Sequence, residues 1–419
     1  MPDINQAVVY GAGNIGRGFI GTLFSGAGYK VIFIDIAENI VSALKEKNAY
    51  PVRHLSNEES EEKIITNVTA ISSVNESEVT DCIAKADIMA TAVGVRALPS
   101  ITPIIAGGLK KRFQNNSAPL NIIICENLIG ADEYLTELIK KNLNENEIKK
   151  LEEQVGFVEA SIGRMIPVQT PEMQEGNILR VCSEKYAFLP VNKDAFKGNI
   201  PDIKGIVPFS DFEFFIQRKF FIHNMGHALC AYLGILMGET YIAQAAARAD
   251  ILFIVQNAML ESAEALHRKF NAEPQSIIDH IKDLISRFNN RALKDTCKRV
   301  GADTERKLGA CDRFIGAINC CAEHGVTPAF ISIGAAAAVY CLLEERNLDQ
   351  TEENAKVILK TISKLEPQPG TTTCEDSPLV KKTDAAALIL DMYKKIIHGN
   401  TLNELLRCAL SLGAKKEVI

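Results

Sequence analysis

The 419-residue sequence contains no tryptophan, and aromatic residues make up only 6% of it. That excludes a platform of aromatic rings on which nucleic-acid bases stack. Positive charge is not in excess either: 46 Lys and Arg stand against 52 Asp and Glu, a formal net charge of −6, and the pI is near 5.8. A dedicated nucleic-acid binder carries the opposite balance. The eleven cysteines contain no CxxC and are scattered, apart from the adjacent Cys320 and Cys321. Such usage fits a reducing compartment, where thiols act as small buried apolar groups, and argues against a disulfide framework. The N-terminus lacks the basic and apolar stretches of a signal peptide. The longest uncharged run, Val326 to Leu343, contains Pro328, Gly334 and four consecutive alanines. Alanine and glycine give too little transfer energy for a membrane span. We read it as a buried helix with Thr327 as N-cap and Pro328 at the first helical position. A cytoplasmic protein is expected.

What is present points to two or three domains, at roughly 150 residues each. Hydrophobic residues at 47% and charged residues at 23% are ordinary globular usage, with material for at least one full core. The first forty residues carry the strongest local signal. Ala7 to Tyr10 reads as a buried strand, followed by GAGNIGRGFIG, in which Gly11, Gly13 and Gly16 fit G-x-G-x-x-G. Ile15, Phe19, Ile20, Leu23 and Phe24 recur at helical spacing, and Gly26 to Gly28 end that helix. Val31 to Ile34 is a second apolar run, closing on Asp35.

Each part has a physical task in a dinucleotide site. Gly11 allows the tight turn, Gly13 lets backbone approach a pyrophosphate, and Gly16 lets helix and strand pack closely. The helix start at Asn14 and Ile15 presents free N–H groups and a positive dipole end to phosphates. Asp35, 19 residues beyond Gly16, can accept bonds from both adenosine ribose hydroxyls and would repel a 2′-phosphate, so NAD is the expected cofactor. Ala86 to Val93 and Asn121 to Cys125 read as further strands of the same sheet. Their ends make Ala92, Val93, Glu126 and Asn127 candidates for contact with cofactor or substrate. Asn57 to Lys63 reads as a solvated charge run.

From about residue 194 the pattern turns helical, and Glu366 to Pro378 is its most loop-like stretch. The expected architecture is a Rossmann-type α/β domain over 1–193 and a mostly α-helical domain over 194–419, with a ligand between them. Within 211–236, Lys219, His223, Asn224 and His227 interrupt an apolar sequence. On a helix at about 100° per residue, Lys219, His223 and His227 drift only ~80°, and Asn224 sits at ~140°. The stripe is either a solvent-facing side or the lining of a cleft. As a functional stripe it has two chemistries. His223 and His227, four residues apart, can both bind zinc, although Asn-Met-Gly between them is not HExxH and no third ligand is evident. The metal-free alternative makes Lys219 a general acid/base whose pKa falls on burial, with Asn224 and His227 bonding the alcohol oxygen. Residues 291–313 hold seven Lys/Arg against four Asp/Glu. They are either a solvated helix with pairs such as Arg291–Asp295 or a phosphate clamp built from Arg299, Arg306, Lys307 or Arg313.

These motifs in this order resemble the mannitol dehydrogenase family of polyol-specific long-chain dehydrogenases: GAGNIGRGFIG, TAVG at 91–94, LNIIICEN at 120–127, VGFVEASIGRMIP at 155–167, FKG at 196–198 and RKFFIHNMGHALCAYLG at 218–234. RF-x3-ALKD, RKL and DR follow. The resemblance runs from residue 7 to about 345, and K-x4-N-x2-H is its most specific part. It implies a Rossmann-type domain plus a helical domain and a zinc-free, NAD-linked interconversion of a sugar-alcohol phosphate and a ketose phosphate, D-mannitol 1-phosphate and D-fructose 6-phosphate. It makes Lys219 the acid/base, with Asn224 and His227 holding the reacting oxygen. It matches Asn127, Arg299 and Lys307 to substrate contacts, and leaves His223 a structural residue. No metal is implied. Three positions depart from the family pattern: Gly163 in place of an acid, Asn289-Asn290 in place of Asn-Pro, and Ala302-Asp303-Thr304 in place of Arg-x-Pro. A free polyol or a keto-aldonate or uronate is therefore an alternative substrate, and a non-catalytic NAD sensor an alternative role. The expected partner is a small-molecule sugar phosphate or polyol, with neither nucleic acid nor membrane, for a monomer or weak homo-oligomer.

Overall fold

The computed structural model describes residues 5–114, 118–365 and 382–414; the loop expected at Glu366 to Pro378 lies outside them. The chain divides into two compact units, Met1–Phe215 and Ile216–Ile419.

The first unit is built on strands β1 (Gln6–Tyr10), β2 (Lys30–Asp35), β3 (Ala49–His54), β4 (Glu61–Thr66), β5 (Val68–Ser72), β6 (Ile88–Thr91), β7 (Leu120–Ile124), β8 (Val155–Glu159), β9 (Val181–Ser183), β10 (Leu189–Asn192) and β11 (Ile206–Phe209). Six of them form a parallel sheet in the order β5-β2-β1-β6-β7-β8. This is the doubly wound dinucleotide-binding order, in which the direction of winding reverses between β1 and β6. Helices cover both faces, so the strands carry near-continuous apolar runs: Ala7 to Tyr10 and Leu120 to Ile124 are all buried. β2 and β5 meet with Asp35 opposite Ser72, and β6 and β7 with Thr91 opposite Ile124. The carboxyl ends of the central strands are thereby aligned at one edge.

Two features were not expected. The run 57–63 includes the start of β4, which pairs antiparallel with β3, while β9 lies parallel on the other side of β3. Past residue 193 the chain also makes another strand, β11, which pairs in parallel with β10. An expected division at 193/194 separates those two partners.

The second unit is helical. A continuous helical run spans Glu213–Arg218, Lys219–Asn224 and Met225–Leu236, and its middle piece is a π-helix. Helix Ala249–Phe270 packs so closely beside it that a Cβ on Gly226 would stand 2.2 Å from Met259 Cε. The Ala-rich helix forms at Ala329–Glu345 and is buried through Ala335 to Ala338. Its start corrects one expectation. Pro328 occupies the N-cap position, and the capping carboxylate comes from Glu261, which accepts from Phe330 N (2.9 Å) and Ile331 N (3.0 Å). Among the described residues no helix is long and apolar enough to cross a membrane.

Candidate active site

The glycine loop after β1 has the steric logic its spacing implies. Gly11 has φ 105°, and a Cβ there would lie 2.3 Å from the Ala92 carbonyl oxygen. A Cβ on Gly16 would lie 1.9 Å from the Gly11 carbonyl oxygen, whereas one on Gly13 would meet nothing within 4 Å. The loop is closed on its protein side and open at Gly13, where a phosphate can approach. The helix that follows opens on a π segment, Gly16–Ile20, with Gly21 N bonded to Gly16 O five residues back. Asn14 Nδ2 reaches Pro167 O at 3.4 Å, and Ile15 is half-buried at the helix start.

Asp35 closes β2 where it was expected. Oδ2 accepts from Ala12 N (2.6 Å) and Oδ1 from Ala37 N (2.8 Å). Each oxygen keeps a lone pair for a ribose hydroxyl. Ile36, 78% exposed, and Val74, 75% exposed, follow the ends of the paired strands β2 and β5. Both are apolar side chains open to solvent just past the strand ends that carry Asp35 and Ser72. Nothing in the sequence pattern marked Val74. The buried Arg17 fastens the loop through Ala12 O (2.6 Å) and Leu179 O (2.6 Å). That role too was not legible, because Leu179 is far away in sequence.

At the end of β6, Ala92 and Val93 are half-buried. Buried Glu126 holds the turn after them, accepting from Val93 N (3.1 Å) and Gly94 N (2.8 Å). Burial pushes its pKa up, and the two amide bonds oppose that shift. Asn127 is exposed on the next bend. At Gly163, where the family pattern has an acid, the space is filled: a Cβ would stand 3.1 Å from the Tyr186 ring. Arg164 Nε donates to the Tyr186 carbonyl and Nη1 to Gly18 O (2.7 Å), which fastens this turn to the glycine-loop helix.

The second unit holds the polar stripe. Lys219 to Asn224 form the π segment, with Met225 N bonded to Phe220 O, five residues back. An i to i+5 turn brings residue i+5 back toward the face of residue i. Asn224 is therefore nearer the face of Lys219 than an α-helical wheel places it. The Lys219 Nζ lies 4.8 Å from the centroid of the Phe220 ring. Burial, then the guanidinium of Arg313, lower the Lys219 pKa to about 7, against the pull of Asp312. Asn224 Nδ2 is buried without a hydrogen-bond partner among the described residues.

His227 stacks on Phe288, with ring centroids 4.9 Å apart and planes at 15°. Its Nε2 lies 3.5 Å from Asp295 Oδ2, close enough for charge attraction but without a closed hydrogen bond. Burial lowers the His227 pKa, with Asp295 opposing. His223 is buried and its ring centroid is 6.2 Å from that of His227. Burial, then Arg287, push its pKa well down. Among the described residues no group of three or more His, Cys, Asp or Glu side chains is placed to hold a metal ion.

Arg299 commits Nε and Nη2 to the two oxygens of Asp295, at 2.5 and 2.6 Å. The partner of Asp295 across one helical turn is thus Arg299, not the Arg291 that spacing also allowed. Beyond it, Lys219, Arg306, Lys307 and Arg313 share a field with two carboxylates, Asp303 and Asp312. Arg306 binds Asp303 (2.6 Å) and Asp312 (2.9 Å), and Arg313 binds Asp312 (2.8 Å). Lys307 is only 5% exposed. Burial, then Arg313 and Arg306, bring its pKa to about 7. Arg306 and Arg313 balance Asp303 and Asp312, and whatever fraction of Lys219 and Lys307 is protonated leaves a positive surplus suited to an anionic ligand group, which would in turn favour their charged forms.

Comparison with known proteins agrees with both halves. The family model described as "Mannitol dehydrogenase Rossmann domain" matches residues 5–205, and "Mannitol dehydrogenase C-terminal domain" matches 211–389. A protein of Shouchella clausii named mannitol-1-phosphate 5-dehydrogenase is 40% identical over 324 residues, 77% of this chain and 85% of that protein. One of the same name from Oceanobacillus iheyensis is 37% identical over 338 residues, covering 80% and 86%. Among solved structures, Pseudomonas fluorescens mannitol 2-dehydrogenase, in ternary complex with NAD and D-mannitol, superposes with a TM-score of 0.74 at 12% identity, covering 98% of this chain and 95% of that one. At that identity the likeness speaks for the fold.

Proposed function

Because the chain belongs to the mannitol dehydrogenase family, we propose that it interconverts D-mannitol 1-phosphate and D-fructose 6-phosphate. It is an NAD-dependent oxidoreductase. The open approach at Gly13, the two accepting oxygens of Asp35 and the exposed apolar side chains of Ile36 and Val74 fit that cofactor. Bound NADH supplies a hydride to the ketose C2, and NAD removes it in the reverse direction.

The chain's own residues handle the proton and the charge. In reduction the Lys219 ammonium gives its proton to the carbonyl oxygen and becomes a neutral amine. In oxidation the neutral amine takes the alcohol proton. The Asn224 amide donates to the oxygen, which gains negative charge as the hydride arrives. The family resemblance puts His227 on the reacting oxygen as well; because its Nε2 lies 3.5 Å from Asp295, we assign it instead to a neighbouring hydroxyl. Arg306, Lys307 and Arg313 receive the phosphate, and Nη1 of Arg299, which has no hydrogen bond among the described residues, is available to the polyol chain. Ala92, Val93 and Asn127 are assigned to the strand-end crevice of the first unit.

The carrying observation is a lysine whose pKa is brought to about 7, one π turn from an unsatisfied buried amide and beside surplus positive charge. The ten described cysteines are all free thiols, as in a reducing compartment, and we infer a cytoplasmic setting.

Steady-state oxidation of NADH tests the reading with fructose 6-phosphate against fructose. The phosphate is expected to raise kcat/KM by roughly 10- to 100-fold, the worth of charge-assisted hydrogen bonds. Lys307→Met should remove most of that gain by raising KM. Equal kcat/KM for the two ketoses would overturn the phosphate assignment.

A further inference from the structure

Asp295 is buried, its side chain only 7% exposed, whereas its partner Arg299 is 37% exposed. A guanidinium that open to water has little need of a buried carboxylate. A buried carboxylate does need a cation, because desolvating an unpaired charge is costly. The pair therefore exists to keep Asp295 ionised where it stands. Two groups outweigh its burial and hold its pKa down at about 2: His227 and Arg299.

The backbone around Asp295 is pinned on both sides. Lys294 adopts the left-handed conformation, φ 47°, which turns the chain inward. The Asp295 carbonyl accepts from Ile242 N (2.9 Å), and Cys297 N donates to Thr240 O (2.9 Å). Thr296 caps the short helix that carries Arg299, one turn on. His227 is stacked on Phe288, and its Nε2 is the ring nitrogen that lies 3.5 Å from this carboxylate. The separation of 3.5 Å needs to shorten by a few tenths of an ångström to close, and catalytic hydrogen bonds commonly tighten only once substrate is bound.

We propose that Asp295, anchored by Arg299, is a positioning residue that holds His227 as the Nε2–H tautomer, so that Nδ1 presents a lone pair to a polyol hydroxyl. This rests on the dehydrogenase reading above. A carboxylate only accepts hydrogen bonds, so it selects the ring nitrogen that bears the proton.

Histidine-selective 15N NMR of the full-length enzyme tests it, with the His227 signal identified by its loss in His227→Asn. The wild type is expected to show Nε2–H. In Asp295→Asn the side-chain amide can donate to Nε2, and the signal should move to Nδ1–H. Turnover should fall by at most roughly 10⁴-fold, the scale of a wrong-tautomer defect at a general base, and by less where the histidine only orients a hydroxyl, while NAD affinity is unchanged. The double variant Asp295→Asn/His227→Asn should be no slower than His227→Asn alone. An Nδ1–H tautomer in the wild type overturns the proposal without any variant, as does multiplication of the two defects. Absence of turnover on every polyol phosphate, with the tautomer shift intact, would instead overturn the functional reading and leave the Asp295–His227 coupling standing.

Discussion

At the residue scale, Lys219 is the group whose chemistry can be read most directly. Its pKa of about 7 arises from burial first and from Arg313 second. If Lys219 is the acid/base proposed above, oxidation needs its neutral amine, so kcat/KM for the polyol should climb with pH below about 7 and level off above it. Reduction needs the ammonium, so it should be flat below about 7 and fall above it. A phosphate also titrates near pH ~6, so the limb must persist with an unphosphorylated ketose if it belongs to the lysine. Arg313→Gln removes a cation that disfavours the ammonium, and the limb should move to higher pH. With an unphosphorylated polyol and ketose, which leave the phosphate contacts of Arg313 out of the comparison, oxidation at neutral pH would slow by roughly 3- to 10-fold, while reduction there would be spared. A shift to lower pH would show that Arg313 does not act on Lys219. Lys219 was legible in the sequence because a lysine inside an apolar helix is conspicuous. Asp295 was not, because in a segment crowded with charges its spacing fits Arg291 and Arg299 equally well, and only the fold turns it toward His227.

At the element scale, the glycine-loop helix and the helix of the polar stripe share a device: each carries a π segment, Gly16–Ile20 and Lys219–Asn224. A helical wheel drawn at about 100° per residue cannot reveal it. It puts Lys219, His223 and His227 in one stripe but places Asn224 too far round. The strands β1, β2 and β7 were legible because each is a short apolar run closed by a glycine or a polar residue. The sheet of β4, β3 and β9 was not, since β4 is mostly exposed and charged and β9 has only three residues. The glycine loop yields a paired prediction. Gly13→Ala meets nothing in the protein, so stability should change by less than about 1 kcal/mol. Its methyl group would stand where a pyrophosphate approaches, and NAD should bind roughly 10- to 100-fold more weakly. Gly16→Ala collides with backbone at 1.9 Å, which no side-chain movement relieves. It should cost about 2–3 kcal/mol and lower Tm by roughly 5–10 °C. Calorimetry with and without NAD separates the two effects. Equal loss of stability in both variants would contradict the open side assigned to Gly13.

At the scale of the whole molecule, a mildly acidic chain conceals a division of labour. The groups assigned to the cofactor, from Gly11 to Asp35, belong to the unit Met1–Phe215, and those assigned to proton transfer and phosphate to Ile216–Ile419. Binding and chemistry should then be separable by mutation. Lys219→Ala removes the proton donor and the positive charge beside the oxygen, so turnover should fall by at least roughly 10³-fold, combining the acid/base and electrostatic contributions. NADH affinity, measured by titration of its fluorescence, should stay within about twofold, because no cofactor group has been touched. Asp35→Ala should do the reverse. It loses two amide bonds and the ribose contact, weakening NADH by roughly 10- to 100-fold. It also removes the charge that repels a 2′-phosphate, so discrimination against NADPH should narrow. Its pH limb, which belongs to Lys219, should not move once cofactor is saturating. If Asp35→Ala displaces that limb, or Lys219→Ala abolishes NADH binding, the two units do not act as independent contributors and the assignment of roles along the chain must be redrawn.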